Sequence, residues 1–231
     1  MKKIALLFIS ICTIFFAGCE NELDNYDGPN AGIKGRILDA QTNEPIPLPV
    51  QGPTGVIINL FEQDTNASKS VDFYAKMDGS YEHSQIFSCN YKVVVKGPFV
   101  GACEEIVNVK GQTTHDFKAT PYARITAEAT VNGKVVTIKY KVTPSYNNFN
   151  ISEVYGFWNF APGVDNGSSN NAGKITKTET EGTMVFDLTT NSNYTSNIHK
   201  ISSNNNKIYV RIGAKTEGVV NYSKIVEVIV K

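Results

Sequence analysis

From Gly32 onward, apolar and polar residues alternate in short runs, and turn residues break the pattern roughly every ten positions. Ile33–Leu38, Val56–Glu62, Val71–Met77, Tyr91–Val95, Glu105–Val109 and Thr113–Lys118 carry this pattern in the first half. Period-two runs bounded by Gly, Pro, Asn and Asp predict β-strands with one buried face. Asp78-Gly79 ends the third run, and that dipeptide favours a tight hairpin turn. A second set follows Ala119-Thr120-Pro121-Tyr122: Arg124–Val131, Lys134–Val142, Ile151–Phe160, Met184–Leu188, Ile208–Ala214 and Lys224–Val230. Asn132-Gly133 separates the first two of these and predicts a hairpin. Asp165–Gly173 and the Asn/Ser-rich stretch Asn191–Asn206 read as polar loops, the latter holding Ile198 and Ile201. No helical pattern of useful length is present. The prediction is an all-β chain of two tandem β-sandwich domains, 31–119 and 120–231. Six or seven strands in the second fit an immunoglobulin-like or fibronectin III-like sandwich. Pro121 stiffens the joint, which predicts a short semi-rigid hinge.

The first residues follow a different rule. Lys2 and Lys3 precede an apolar run from Ile4 to Phe16, too short for a bilayer core that needs roughly twenty residues. Length and flanks predict a secretory signal peptide, residues 1–18. The run closes on Phe16-Ala17-Gly18-Cys19, which resembles the bacterial lipobox, with Phe16 where Leu is commoner. The resemblance implies cleavage before Cys19 and lipid attachment to its thiol. Residues 19–30 then form an acidic tether through Glu20, Glu22, Asp24 and Asp27. An acidic stretch after a lipidated cysteine resembles the surface-export signals of Bacteroidetes lipoproteins. It implies an outer-membrane lipoprotein facing the cell exterior, with the periplasmic leaflet as the alternative.

Charge narrows the partners. The chain has 22 basic and 22 acidic residues, and the signal takes two lysines with it, leaving the mature chain slightly acidic. Such a balance, without any basic cluster, excludes nucleic acid as a partner. Cys12 leaves with the signal and Cys19 carries lipid, so Cys89 and Cys103 remain. Alternation puts both on the apolar side of their strands. If Lys96-Gly97-Pro98 is a simple hairpin turn, the two oppose each other within disulfide range; otherwise they are two small buried thiols.

Chemistry for catalysis is not visible. His83, His115 and His199 are scattered without a second metal ligand at suitable spacing, and Asp78-Gly79 lacks a calcium ladder. No nucleophile elbow or phosphate-cradling loop occurs, and the adjacent Glu104 and Glu105 face opposite sides of a strand. The expectation is a protein that is not an enzyme and needs no metal or cofactor. The informative segment is Val154-Tyr155-Gly156-Phe157-Trp158-Asn159-Phe160. As a strand it puts Trp158 and Phe160 on one face and Tyr155 and Phe157 on the other. Either one pair is exposed and stacks on sugar rings, or Trp158 is the core tryptophan and Tyr155 and Phe157 pack against the first domain or a partner.

Gly32-Ile33-Lys34-Gly35-Arg36-Ile37-Leu38-Asp39, Thr42-Asn43-Glu44-Pro45-Ile46, Lys76–Tyr81, Asn90–Val93 and Asp116-Phe117 together resemble carboxypeptidase-regulatory-like domains. That resemblance implies a transthyretin-like Greek key without a peptidase site. Asn25–Pro29, Lys96–Val100, Thr120–Ile125 and Ile208–Ala214 extend the likeness to a Bacteroidetes lipoprotein family of unknown function. Its members accompany SusC/SusD-type glycan-uptake proteins. The resemblance implies an accessory subunit that holds a polysaccharide or oligosaccharide beside such a transporter. The alternative is a docking module that touches the transporter or neighbouring lipoproteins and no sugar.

Overall fold

The computed structural model describes residues 27–52 and 54–231. The predicted signal peptide 1–18, Cys12, Cys19 and the tether before Asp27 lie outside the described residues. Among the described residues no helix is long and apolar enough to cross a membrane.

The first domain holds β1 (Ala31–Asp39), β2 (Ile57–Glu62), β3 (Val71–Tyr74), β4 (Ser80–Ile86), β5 (Cys89–Lys96), β6 (Cys103–Val109), β7 (Gln112–Thr114) and β8 (Phe117–Ala119). They form two facing sheets, β4-β1-β7 with β8 also on β1, and β3-β2-β5-β6. Ile33 and Ile37 from one sheet meet Ile58, Leu60, Val93 and Val95 from the other, and Tyr81, Tyr91 and Phe117 fill the space between. Burying alternate residues of both sheets explains the period of two in the sequence. The polar strand β4 escapes that pattern because it buries only Tyr81 and Ile86. Asp78-Gly79 is a turn but not a hairpin, since β3 pairs with β2 whereas β4 pairs with β1. The chain crosses between sheets there, with Gly79 at φ 84°. The stretch predicted as one strand over Thr113–Lys118 is split into β7 and β8 at His115-Asp116. Gly35 makes the split fit: a Cβ there would collide with the His115 carbonyl, and that carbonyl accepts the Tyr81 hydroxyl.

The second domain holds β9 (Ala123–Asn132), β10 (Val135–Pro144), β11 (Ile151–Asn159), β12 (Gly173–Lys177), β13 (Glu181–Asp187), β14 (Lys207–Thr216), β15 (Val219–Tyr222) and β16 (Val226–Ile229). Sheet β13-β10-β9 faces sheet β12-β11-β14-β15, with β16 also on β14. The Asn132-Gly133 hairpin forms as predicted, with Asn132 opposite Val135 and Gly133 at φ 60°. The polar stretch 191–206 is not a plain loop. It folds into two short helices, α1 (Ser192–Ser196) and α2 (Ile198–Ser203). The Asn191 side chain caps α1 by accepting from the Tyr194 amide, and Tyr194 and Ile201 plug the core.

The predicted hinge at Ala119–Tyr122 is instead a cross-braced seam. Arg124 of β9 donates two hydrogen bonds, 2.6 and 2.7 Å, to the buried carboxylate of Asp39 at the end of β1. Arg211 of β14 is also buried and donates to the carbonyls of Ser223, Val164 and, across the seam, Leu48, all at 2.8–2.9 Å. Burial lowers its pKa to about 10, which leaves it charged at physiological pH. Asp165 accepts the Val50 amide at 2.8 Å, and Asn221 donates to the Pro98 carbonyl at 2.9 Å. These bonds join the two domains on both sides of the link at Pro121.

Candidate functional site

The aromatic strand does not supply a sugar platform. Trp158 is 0 % exposed in the core of the second sandwich, where Phe160 packs at its edge. Gly173 on β12 accommodates the indole, because a Cβ there would strike its ring nitrogen. Tyr155 and Phe157 face the other side, yet they too are buried, at 4 % and 0 %. They form a small second core with Val164 and Tyr222. Lys174 lies 4.1 Å over the Tyr155 ring. Burial and the neighbouring Glu153 carboxylate push the Tyr155 phenol up to about 12. Val164 from the loop after β11 and Tyr222 from β15 therefore cover the face that a two-layer sandwich leaves open, and Arg211 beside Tyr222 reaches the first domain at Leu48. Of the two alternatives for 155–160, the one with Trp158 as core tryptophan is found, and Tyr155, Phe157 and Phe160 are packed rather than presented to a sugar.

Of the two alternatives for Cys89 and Cys103, the disulfide is excluded and the separate thiols are found. Cys89 opposes Val109 and Cys103 opposes Val95, so the thiols are six residues apart along β5, and both are free. Six residues of strand span about 20 Å, far beyond disulfide reach. The register moved because 97–102 is a folded loop rather than a hairpin turn. Phe99 is buried in it and bridges to Pro121, while the Val100 amide donates to the Thr120 carbonyl.

His83 stacks edge-on against Phe73, and His199 sits exposed on α2. Glu104 pairs with Lys92 at 2.9 Å, and Glu105 with His115 at 2.8 Å, on opposite faces of β6. Cys103 lies beside Glu105, but burial and that carboxylate push its thiol up to about 11, the reverse of an activated nucleophile. Among the described residues no group of three His, Cys, Asp or Glu side chains is arranged to hold a metal ion.

A different set of rings reaches solvent. Tyr122 stacks on Phe149 with centroids 5.4 Å apart and planes 30° apart, and Tyr146 meets Phe149 edge-on at 5.1 Å. Tyr146 is 48 % exposed, while Tyr122 and Phe149 are half-buried. Asn147, Asn148 and Asn150 stand exposed around them. The loop is pinned at both ends, so the rings are held before any ligand arrives. At one end the Ser145 amide donates to the Tyr122 carbonyl, the Ser145 hydroxyl donates to Pro121, and Arg124 donates to Ser145 at 3.1 Å. At the other end the Asn150 amide donates to Glu217 at 2.7 Å. Ring faces flanked by free amides can stack on the C–H faces of a sugar and bond its hydroxyls. Elsewhere the exposed rings Tyr74 and Phe87 form no such cluster. The sequence carries half of this signal in Tyr146-Asn147-Asn148-Phe149-Asn150. Tyr122 is 24 positions away in sequence, and the register that sets Ala123 opposite Pro144 brings it in.

Residues 31–120 match the model of a protein family of unknown function, DUF3823, N-terminal domain, and residues 122–227 match the DUF3823 C-terminal domain of unknown function. A crystal structure of a DUF3823 family protein from Parabacteroides merdae superposes with a TM-score of 0.72 at 20 % identity, over 89 % of this chain and 100 % of that one. One from Bacteroides ovatus gives 0.69 at 20 % identity, over 88 % and 100 %. A third, from Bacteroides uniformis and described as a candidate carbohydrate-binding protein, gives 0.64 at 24 % identity, over 88 % and 100 %. At these identities the likeness is one of fold. No curated protein matches the chain.

Proposed function

Because the chain belongs to the DUF3823 family through both of its domains, we propose that it is a non-catalytic glycan-binding lipoprotein displayed on the cell surface. The observation that carries this reading is the pinned trio Tyr122, Tyr146 and Phe149 with exposed asparagines around it. The carbohydrate-binding description of the Bacteroides uniformis protein supports the same ligand class. Lipid on Cys19 anchors the chain, the acidic tether lifts the two-domain body off the membrane, and a SusC/SusD-type transporter receives the glycan it holds. The small net charge of the mature chain, two lysines fewer than the 22 basic residues of the whole against 22 acidic ones, suits this role, since it repels polysaccharides of either sign only weakly.

Affinity electrophoresis of the soluble protein, residues 20–231, through gels containing different polysaccharides tests the reading. Retardation by one polysaccharide that disappears in Tyr146→Ala and Phe149→Ala, with melting unchanged, is the expected result. Absence of retardation across a broad panel transfers the reading to a docking module, and membrane pull-down then becomes the informative experiment.

A further inference from the structure

Beside the aromatic trio the seam between the domains opens into a trough. Two cavities of about 430 and 520 Å³ run along it and share Pro45, Pro47 and Lys224. Pro121 and Ala123, the chain neighbours of Tyr122, line the first cavity. So does Arg124, whose guanidinium donates to Ser145, the residue before Tyr146. The trough and the ring cluster therefore meet at Arg124, which lines the one and is bonded to the loop that carries the other. Its charges balance: Arg124 lies 2.6 Å from Asp39, Lys224 lies 3.8 Å from Glu44, and Lys76 and Asp78, of opposite sign, both line the second cavity. Internally paired charges leave no net field to draw an anionic chain. They still keep polar donors and acceptors on the rim, above a floor that includes Pro45, Pro47 and Ile125. An uncharged polyhydroxyl chain with apolar C–H faces matches both features.

We propose that the trough holds the continuation of a linear, uncharged glycan whose first units stack on the trio, so that the protein reads a chain of several sugars. This rests on the glycan-binding reading above. The test is isothermal titration of the soluble protein with xylo-, cello-, malto- and manno-oligosaccharides from dimer to octamer, and with oligogalacturonates. The expected result is affinity that rises about tenfold or more with length in a neutral series. Thr126→Arg and Lys224→Glu, exposed positions on the trough, should remove that gain and leave dimer affinity unchanged. Tyr146→Ala should weaken every length. Dimer binding without a length gain, a gain that survives both trough variants, or preference for the galacturonates overturns the trough and spares the trio. No binding of any series overturns both.

Discussion

Tyr146 and Trp158 are both large rings followed by an asparagine, yet only Tyr146 meets solvent. Trp158→Ala should cost about 3–5 kcal/mol, because the indole fills the core of its sandwich and leaves a cavity when removed. Tyr146→Ala should stay within about 0.5 kcal/mol of the parent in urea denaturation. Loss of ligand binding in a Trp158 variant therefore reports unfolding, and loss in a Tyr146 variant reports the site. Arg211 is the polar counterpart of Trp158. Arg211→Met would strand three buried carbonyls, and destabilisation on the order of 3 kcal/mol is expected in the same assay.

Register decides chemistry at the level of the strands. A six-residue shift in the pairing of β5 with β6, relative to a simple hairpin, decides between a cross-link and two separate thiols in favour of the thiols. In denaturant both Cys89 and Cys103 should react with a thiol reagent, and dithiothreitol should leave the melting temperature of the oxidised preparation unchanged. In the folded protein Cys103 should alkylate far more slowly than a free thiol at pH 8, since its pKa is pushed to about 11. The β9–β10 hairpin works the other way. Its register is readable from Asn132-Gly133, and it carries Tyr122 to the loop that follows Pro144. Thr120 and Tyr122 are also where the 97–102 loop and the aromatic loop attach through backbone bonds.

Across the whole molecule, the seam makes two domains behave as one. Arg124–Asp39, Arg211–Leu48, Asp165–Val50 and Asn221–Pro98 join them through charged or amide side chains. A single cooperative transition is expected in calorimetry, and Asp39→Ala combined with Asn221→Ala should split it into two. Acid should loosen the same seam. Burial raises the Asp39 pKa, but hydrogen bonds from Arg124 and the Gln41 amide, with the Arg124 charge, hold it below the ordinary 3.8. A carboxylate depressed in the folded state contributes stability that is full above its unfolded pKa and fades as pH falls through the folded value. Stability should therefore drop below pH 3.8, and Asp39→Asn should flatten that part of the profile in urea titrations at stepped pH.

Alternation, turn dipeptides and spacing determined the all-β class and the hairpin at Asn132-Gly133, because period-two burial is a local property that neighbours in sequence already display. The strand identity of 151–160 was equally local. Which of its faces is covered was not, since Tyr222 and Val220 reach it from more than sixty positions along the chain. The same limit hid the short helices, whose buried Tyr194 and Ile201 sit within an Asn/Ser-rich stretch that reads as a loop. The cysteine register depended on Phe99 folding its loop onto Pro121. The aromatic trio exists only where the start of β9 meets the loop after β10, and the trough only where the two domains meet. Periodicity reports which side of an element is apolar; what that side meets is set by contacts between residues far apart in the chain, and those form only in the folded molecule.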